Sequence, residues 1–295
     1  MDGNRRFAKN RGLEVRHGHA EGADALEQTL DWCLKLGVKT VTVYAFSTEN
    51  FSRDKVSEVD PIMSLSTEKF QKFASNSDIV KKHGIAVRVY GRLDLLPPPV
   101  KHAASLAAKM TATNSNAILN ICMPYTSREE ILYAVRTIVR GVEDGILDSD
   151  DISQEVLEKC FWTGGNSDSI SGSGDVDILL RTSGEVRLSD FMLWQASNAC
   201  QIKFLNVYWP DFTFWHMLPS LIQYQMSYSQ VSQARNQHQK HLNYLFSSRN
   251  NDKNFCCTGA GYEEGLVVDA QVKRVMRFLD AVRKERDADA IKYCP

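Results

Sequence analysis

Met1-Asp2-Gly3-Asn4-Arg5-Arg6 sets one carboxylate beside a Gly-Asn pair and two guanidinium groups. Far downstream, Arg181-Thr182-Ser183-Gly184-Glu185-Val186-Arg187-Leu188-Ser189 sets two more guanidinium groups among hydroxyls and a glycine. These residue types suit a magnesium-bridged diphosphate. One acid offers oxygen to a hard cation, planar arginine forks grip phosphate oxygens bidentately, and glycine lets backbone N–H groups approach an anion. Read singly, Asp-Gly-Asn is also a turn, and two arginines on a loop also make a solvated pair.

A second acidic run, Asp148-Ser149-Asp150-Asp151, precedes Ile152-Ser153-Gln154-Glu155. There Ser149 or Asp150 reads as a helix N-cap and not as a metal site. No DDxxD pair occurs, so the magnesium chemistry of the all-trans prenyl synthases has no support, and no GxxxxGK[ST] loop supports nucleotide hydrolysis.

These residues must be held by a folded core, and 295 residues with 43% hydrophobic and 24% charged suffice for one domain of roughly 240 residues plus a tail. A net charge of −1 excludes a general nucleic-acid binder, so basic character is local, as in Arg5, Arg6, Lys9 and Arg11. The seven cysteines show no CxxC pair, and several sit in apolar runs as small hydrophobes, which fits a reducing compartment. No run approaches the ~20 apolar residues of a spanning helix. The polar, basic start shows no signal peptide, so membrane contact is expected to be peripheral.

Helical and strand patterns alternate, which predicts an α/β fold with a mostly parallel central sheet flanked by helices. Leu26, Leu30, Cys33 and Leu34 mark one helix face, with Gly37 placed to end it. Residues 38–46 (VKTVTVYAF) read as a strand covered on both faces, followed by strands at 85–90, 117–123 and 176–180. Helices are expected at 61–82, 99–111, 127–142 and 152–159, and one or two long ones over 214–245. The Gly/Ser-rich run 161–174 reads as a flexible loop. Domain organisation follows: 1–246 catalytic, 247–262 linker, 263–295 a C-terminal helical tail, amphipathic over 263–287.

The Asp2–Arg6 segment and the RTSGEVRLSDFMLWQ run closely resemble the signatures of the cis-prenyltransferases, the undecaprenyl diphosphate synthase family, over roughly residues 1–245. Tyr44-Ala45-Phe46-Ser47-Thr48-Glu49-Asn50-Phe51-Ser52-Arg53 and the His19-x-x-Gly22 step are similar to further family motifs. The resemblance implies an undecaprenyl diphosphate synthase-like fold with an apolar product tunnel. It implies repeated condensation of isopentenyl diphosphate onto farnesyl diphosphate, with Mg2+ as cofactor. By it, Asp2 is the metal ligand and a catalytic residue, and Gly3, Asn4, Arg5 and Arg6 cradle phosphate beside the aromatic Phe7. His19 contacts diphosphate, and Asn50 is the catalytic asparagine that assists proton removal or positions water. Ser47, Thr48, Glu49, Phe51 and Arg53 complete that side, with Glu58 near a family glutamate. Arg181, Arg187 and Ser189 hold isopentenyl diphosphate. The tunnel lining is expected on the 61–82 helix, from Ile62, Met63, Leu65, Phe70 and Phe73.

The RTSGEVRLSDF form is similar to that of eukaryotic members that make long-chain (dehydrodolichyl) polyprenyl diphosphate for dolichol synthesis and protein glycosylation. That similarity implies the endoplasmic reticulum membrane, peripherally on its cytoplasmic face, or the lipid droplet. The chain departs from the family at several points. Val15 stands where many members have arginine, with Arg16 beside it, and Cys200 replaces a glutamate of homodimeric bacterial enzymes that helps bind magnesium. No Arg-x-Gly motif follows Trp209. The last two departures imply a Nogo-B-receptor-like accessory subunit in a heteromer. Family members also carry an apolar strand before Met-Asp-Gly-Asn. Its absence here leads us to expect a loosened Asp2 loop and leaves a truncated, inactive or accessory paralogue as the alternative reading.

Overall fold

The computed structural model describes residues 1–75, 78–164, 176–252 and 263–294. Chain order begins with helices α1 (Asn4–Asn10) and α2 (Val15–Lys35), then strand β1 (Thr40–Tyr44), α3 (Asp60–Ala74), α4 (Asp78–His83) and β2 (Ile85–Tyr90). It continues through α5 (Pro98–Met110), β3 (Ala117–Cys122), α6 (Ser127–Glu143), α7 (Gln154–Cys160), β4 (Ile178–Arg181) and β5 (Gln201–Phe204). Two long helices follow, α8 (Phe214–Asp252) and α9 (Glu263–Ile291).

Among the described residues the strands pair in parallel, and helical crossovers join β1, β2 and β3. β1-β3-β2 form one sheet, with Tyr44 and Tyr90 both in register with Cys122, and β4 pairs with β5. β3 is the centre and is buried at every residue, because its near-continuous apolar run has helices on both faces. β1 was expected to be covered on both faces, yet only Val43 of it is fully buried, whereas β2, the other edge of this sheet, is buried at all but Arg88.

Three helix boundaries move. Of the single helix expected over 61–82, α3 ends at Ala74 and α4 begins at Asp78, with 76–77 outside the described residues. A π-type turn, Lys55–Val59, leads into α3, and Pro61 occupies its first turn, where no N–H bond is lost. Neither Ser149 nor Asp150 is the N-cap of α7. Ser153 caps it by accepting the Val156 N–H, while Asp148 caps the 3-10 turn Ser149–Asp151. The expected linker over 247–262 overlaps the end of α8, and 253–262 lies outside the described residues, as does 165–175 of the expected Gly/Ser-rich loop.

The main core joins the sheet to α3 and α5 through Met63, Phe70, Phe73, Val100, Ala104, Val87 and Leu119. A second core forms where α9 returns onto α6 and α7, burying Phe278 and Val282 against Ala134, Ile138 and Cys160.

Candidate active site

The carboxyl ends of β1, β3 and β4 open into one cavity of about 780 Å³, lined among others by Tyr44, Phe46, Met123 and Arg181. Ligands of open parallel sheets gather at such strand ends. The N-terminal segment is held there by backbone bonds. The Asp2 N–H donates to Thr182 Oγ1 at 3.1 Å, and the Trp209 N–H donates to the Asp2 carbonyl at 3.0 Å. Gly3 carries φ +97°, and a Cβ there would stand 2.1 Å from Ser183 Oγ, so only glycine closes this turn. α1 starts at the next residue, with the Phe7 N–H donating to the Gly3 carbonyl at 2.8 Å.

Asp2 is held ionised. Burial would raise its pKa, but the Arg181 guanidinium, the Gly3 N–H and nearby positive charge outweigh that and lower it. Gly3 N–H donates to Oδ1 at 2.7 Å and Arg181 to Oδ2 at 3.1 Å. Arg181 also donates to Ser189 Oγ at 2.8 Å and to the Arg187 carbonyl, so a single fork links the acid to the downstream loop. That loop is conformationally unusual, with Ser183, Ser189, Asp190 and Met192 all at positive φ.

Asn4 lies against α2. A Cβ at Gly22 would stand 2.5 Å from Asn4 Oδ1 and 3.1 Å from the Trp209 ring, which is the physical content of the His-x-x-Gly spacing. The Trp209 indole N–H donates to the Gly22 carbonyl at 2.6 Å. Asn4 Nδ2 stands 3.5 Å from His19 Nδ1. Asn4 Oδ1, His19 Nε2 and Ser183 Oγ are buried and find no hydrogen-bond partner among the described residues. Burial, with Arg53 and Arg5 nearby and Glu58 opposing them, lowers the His19 pKa to about 4, so its imidazole is neutral.

The mouth is cationic. Arg5, Arg6, Lys9, Arg53, Arg181 and Arg187 line it against Asp2, Glu49 and Glu185. Arg5 meets Glu58 at 3.1 Å and Arg6 meets Glu185 at 3.0 Å, so both acids aim guanidinium groups. Ser47 and Asn50 form a reciprocal cap: the Glu49 N–H donates to Ser47 Oγ, and the Ser47 N–H donates to Asn50 Oδ1 at 3.2 Å. Asn50 therefore has its amide nitrogen left to present to the cavity.

Of the residues expected at the site, Asp2, Gly3, Asn4, Arg5, Arg6, His19, Ser47, Glu49, Asn50, Arg53, Arg181, Arg187 and Ser189 all line the cavity. Phe7, Thr48 and Phe51 do not. Phe7 is buried beneath Arg11, whose guanidinium lies 4.2 Å from its ring, and Phe51 packs edge-on against Phe46. Arg16 pairs with Glu14 at 2.6 Å outside the main cavity, and Cys200, which precedes β5, is not part of its lining. Ile62, Leu65, Phe70 and Phe73 line the cavity as expected, whereas Met63 is turned into the core.

Sequence reasoning missed Thr182, Trp209, Glu185 and Glu130. Thr182 and Glu185 stood inside a quoted motif, but Trp209 reaches the site only through tertiary contact. Glu130 is fully buried and accepts from Tyr125 O–H (2.6 Å), Gln195 Nε2, the Thr163 N–H and the Thr163 O–H (2.9 Å each).

The undecaprenyl diphosphate synthase family model matches residues 1–232. The chain is 43% identical to the human dehydrodolichyl diphosphate synthase complex subunit DHDDS over 289 residues, which is 97% of this chain and 83% of that protein. It is 45% identical to the Schizosaccharomyces pombe dehydrodolichyl diphosphate synthase complex subunit SPAC4D7.04c over 226 residues, 77% of this chain and 83% of that one. Among solved structures, lavandulyl diphosphate synthase from Lavandula x intermedia, in complex with dimethylallyl diphosphate, aligns with a TM-score of 0.68 at 31% identity, covering 76% of this chain and 92% of that chain.

Proposed function

This chain belongs to the undecaprenyl diphosphate synthase family of cis-prenyltransferases, and from that premise we propose that it is a transferase of the dehydrodolichyl diphosphate synthase type. It lengthens farnesyl diphosphate with isopentenyl diphosphate units to a long-chain polyprenyl diphosphate for dolichol synthesis. The observation that carries this is one cavity with a cationic mouth and an apolar interior. Diphosphate fits the mouth, and hydrocarbon fits Leu26, Ile62, Leu65, Phe70 and Phe73 within.

In each condensation the allylic carbon–oxygen bond breaks, a carbon–carbon bond to isopentenyl diphosphate forms, and one proton is lost from the incoming unit. The departing diphosphate takes the bonding electrons, so cations aimed at its oxygens lower the barrier. Arg5, Arg6 and Arg53 supply them, with the backbone at Gly3 and Asn4. Asn4 Oδ1 and the neutral His19 Nε2 lie buried beside this cradle without a hydrogen-bond partner among the described residues. Arg181, Arg187 and Ser189 hold the isopentenyl diphosphate, which places both substrates for attack. An amide is no base at neutral pH, so Asn50 orients the reacting groups and does not take the proton.

The donor set fits Mg2+. That ion keeps several waters and is bound by one or two carboxylates plus substrate phosphates, which matches Asp2 beside a phosphate cradle, and no cluster of three or more metal-ligating side chains occurs among the described residues. Asp2 would hold it, and the bound ion would neutralise charge on the leaving diphosphate.

We further propose a Nogo-B-receptor-like accessory subunit and peripheral residence on the cytoplasmic face of the endoplasmic reticulum membrane. The human and fission yeast relatives are named as complex subunits. Trp215, Tyr228 and Met226 of α8 are largely exposed, as a partner surface would be. No helix among the described residues is long and apolar enough to cross a membrane.

The test is radiolabelled isopentenyl diphosphate incorporation with farnesyl diphosphate and Mg2+, with and without a candidate subunit. Labelled polyprenyl product that Asp2→Ala abolishes is expected. Activity at full rate without any partner would remove the heteromer from the proposal, and silence in both conditions would overturn the catalytic reading.

A further inference from the structure

Away from His19 at the mouth, the cavity wall formed by α2 and α3 is apolar apart from the Ser66 hydroxyl and one charged pair. Leu26 of α2 and Leu65 and Phe70 of α3 line it, and Glu27 and Lys69 line it between them. Lys69 Nζ lies 3.1 Å from Glu27 Oε1 and 3.2 Å from Asp24 Oδ1, and Lys72 Nζ lies 2.9 Å from Glu27. The Glu27 and Lys69 side chains are 27% and 20% exposed, whereas Asp24 and Lys72 are 64% and 48% exposed. The network thus runs from the cavity wall out to solvent along the seam between the two helices. On its other side α3 is fixed to α5 by apolar packing.

A partly exposed ion pair adds little to stability, because solvent screens it and two long side chains must be ordered to make it. Well-packed leucines would hold the seam better, so its placement calls for a role in what the cavity contains. A cavity of about 780 Å³ is of the size that encloses a drug-sized ligand. Repeated condensation, by contrast, lengthens the hydrocarbon with no stopping point in the chemistry itself. Hydrocarbon that reaches Glu27 and Lys69 must part them and leave charges against an apolar chain, or go no further.

We propose that the Glu27–Lys69 pair is a product-length determinant, a charged latch on the α2–α3 seam that halts the growing chain. This rests on the elongation reading above. Neither residue touches the diphosphate cradle, so the latch acts on where elongation stops and not on how fast each bond forms.

The experiment compares the full chain, with whatever subunit the wild type requires, against Glu27→Gln, the double variant E27L/K69L, Lys69→Arg and the exposed-limb control Lys72→Ala. Two quantities are read: the rate of the first condensation onto farnesyl diphosphate, and the chain-length distribution at excess isopentenyl diphosphate. E27L/K69L is expected to shift products longer by at least one isoprene unit, and Glu27→Gln in the same direction by less. Lys69→Arg and Lys72→Ala should keep the wild-type distribution, and each variant's product lengths are read against its own first-condensation rate. Should E27L/K69L fail to fold, Glu27→Gln alone decides, being isosteric. Unmoved lengths with an intact first condensation would overturn the latch alone. A wild-type chain that makes no product would overturn the elongation reading, and the latch with it.

Discussion

At the residue scale the site is organised by a few groups that each make several bonds. Arg181 is the clearest, since one planar fork spans Asp2, Ser189 and the Arg187 carbonyl. A lysine is a point charge on a flexible stem and cannot span three acceptors in one plane. Arg181→Lys is expected to lower kcat/KM by about 10²-fold, the usual cost of losing one aimed donor, in steady-state assays that vary isopentenyl diphosphate. His19 supplies a pH signature. Its folded pKa of about 4 lies below the ordinary value of 6.5, so the unfolded chain takes up the proton first as pH falls. Stability is therefore complete above about pH 6.5 and is lost progressively as pH drops toward 4, by on the order of 3 kcal/mol from this group. Urea denaturation across that window should show the decline, and His19→Gln should flatten it.

At the scale of elements, the arginine–serine loop is held from behind. Glu130 of α6 ties Tyr125 after β3, Thr163 after α7 and Gln195 beyond the loop into one buried node. From there the Tyr125 carbonyl accepts from Tyr44 O–H at 2.9 Å, and Tyr44 also donates to the Ser189 carbonyl and stacks on Phe191 at 4.6 Å. Truncation at Glu130 would leave several buried donors unpaired, each a loss of roughly 1–3 kcal/mol. Glu130→Ala is expected to lower stability by at least about 3 kcal/mol in urea unfolding and to raise KM for isopentenyl diphosphate more than that for farnesyl diphosphate. Equal change in the two constants would count against a positioning role for the node.

For the molecule as a whole, α9 closes the chain back onto α6 and α7. Arg274 grips the fully buried Asp151 through Nε at 2.6 Å and Nη2 at 2.8 Å. Burial would raise the Asp151 pKa, but Arg274 and the Asp148 N–H hold it down, so the acid stays ionised in the interior. Removing one partner of such a pair strands the other charge. Arg274→Ala should destabilise by about 3 kcal/mol in urea unfolding, and pairing it with Asp151→Asn should recover part of the loss. At this same scale, a net charge of −1 coexists with a strongly cationic mouth, because the acids Glu58 and Glu185 aim the arginines and leave phosphate binding to the surplus.

The chemistry of the mouth was legible in the chain itself, because diphosphate binding needs particular residue types in short runs: Asp2 to Arg6, His19 with Gly22, Ser47 to Arg53, and Arg181 to Ser189. The alternation that makes β2 and β3 parallel strands was legible too, since their apolar runs have the period of buried sheet. Local patterning could not say that β1 would be an edge, that α3 would stop at Ala74, or that Phe7 and Phe51 would turn from the cavity. Those outcomes depend on which surfaces meet, not on which residues are neighbours in the chain. The same holds for Trp209 against Gly22, for Glu130 beneath the loop, and for Glu27 facing Lys69 across the seam. Each joins residues far apart in sequence, and only the closing of the tertiary structure brings their charges and hydrogen bonds together.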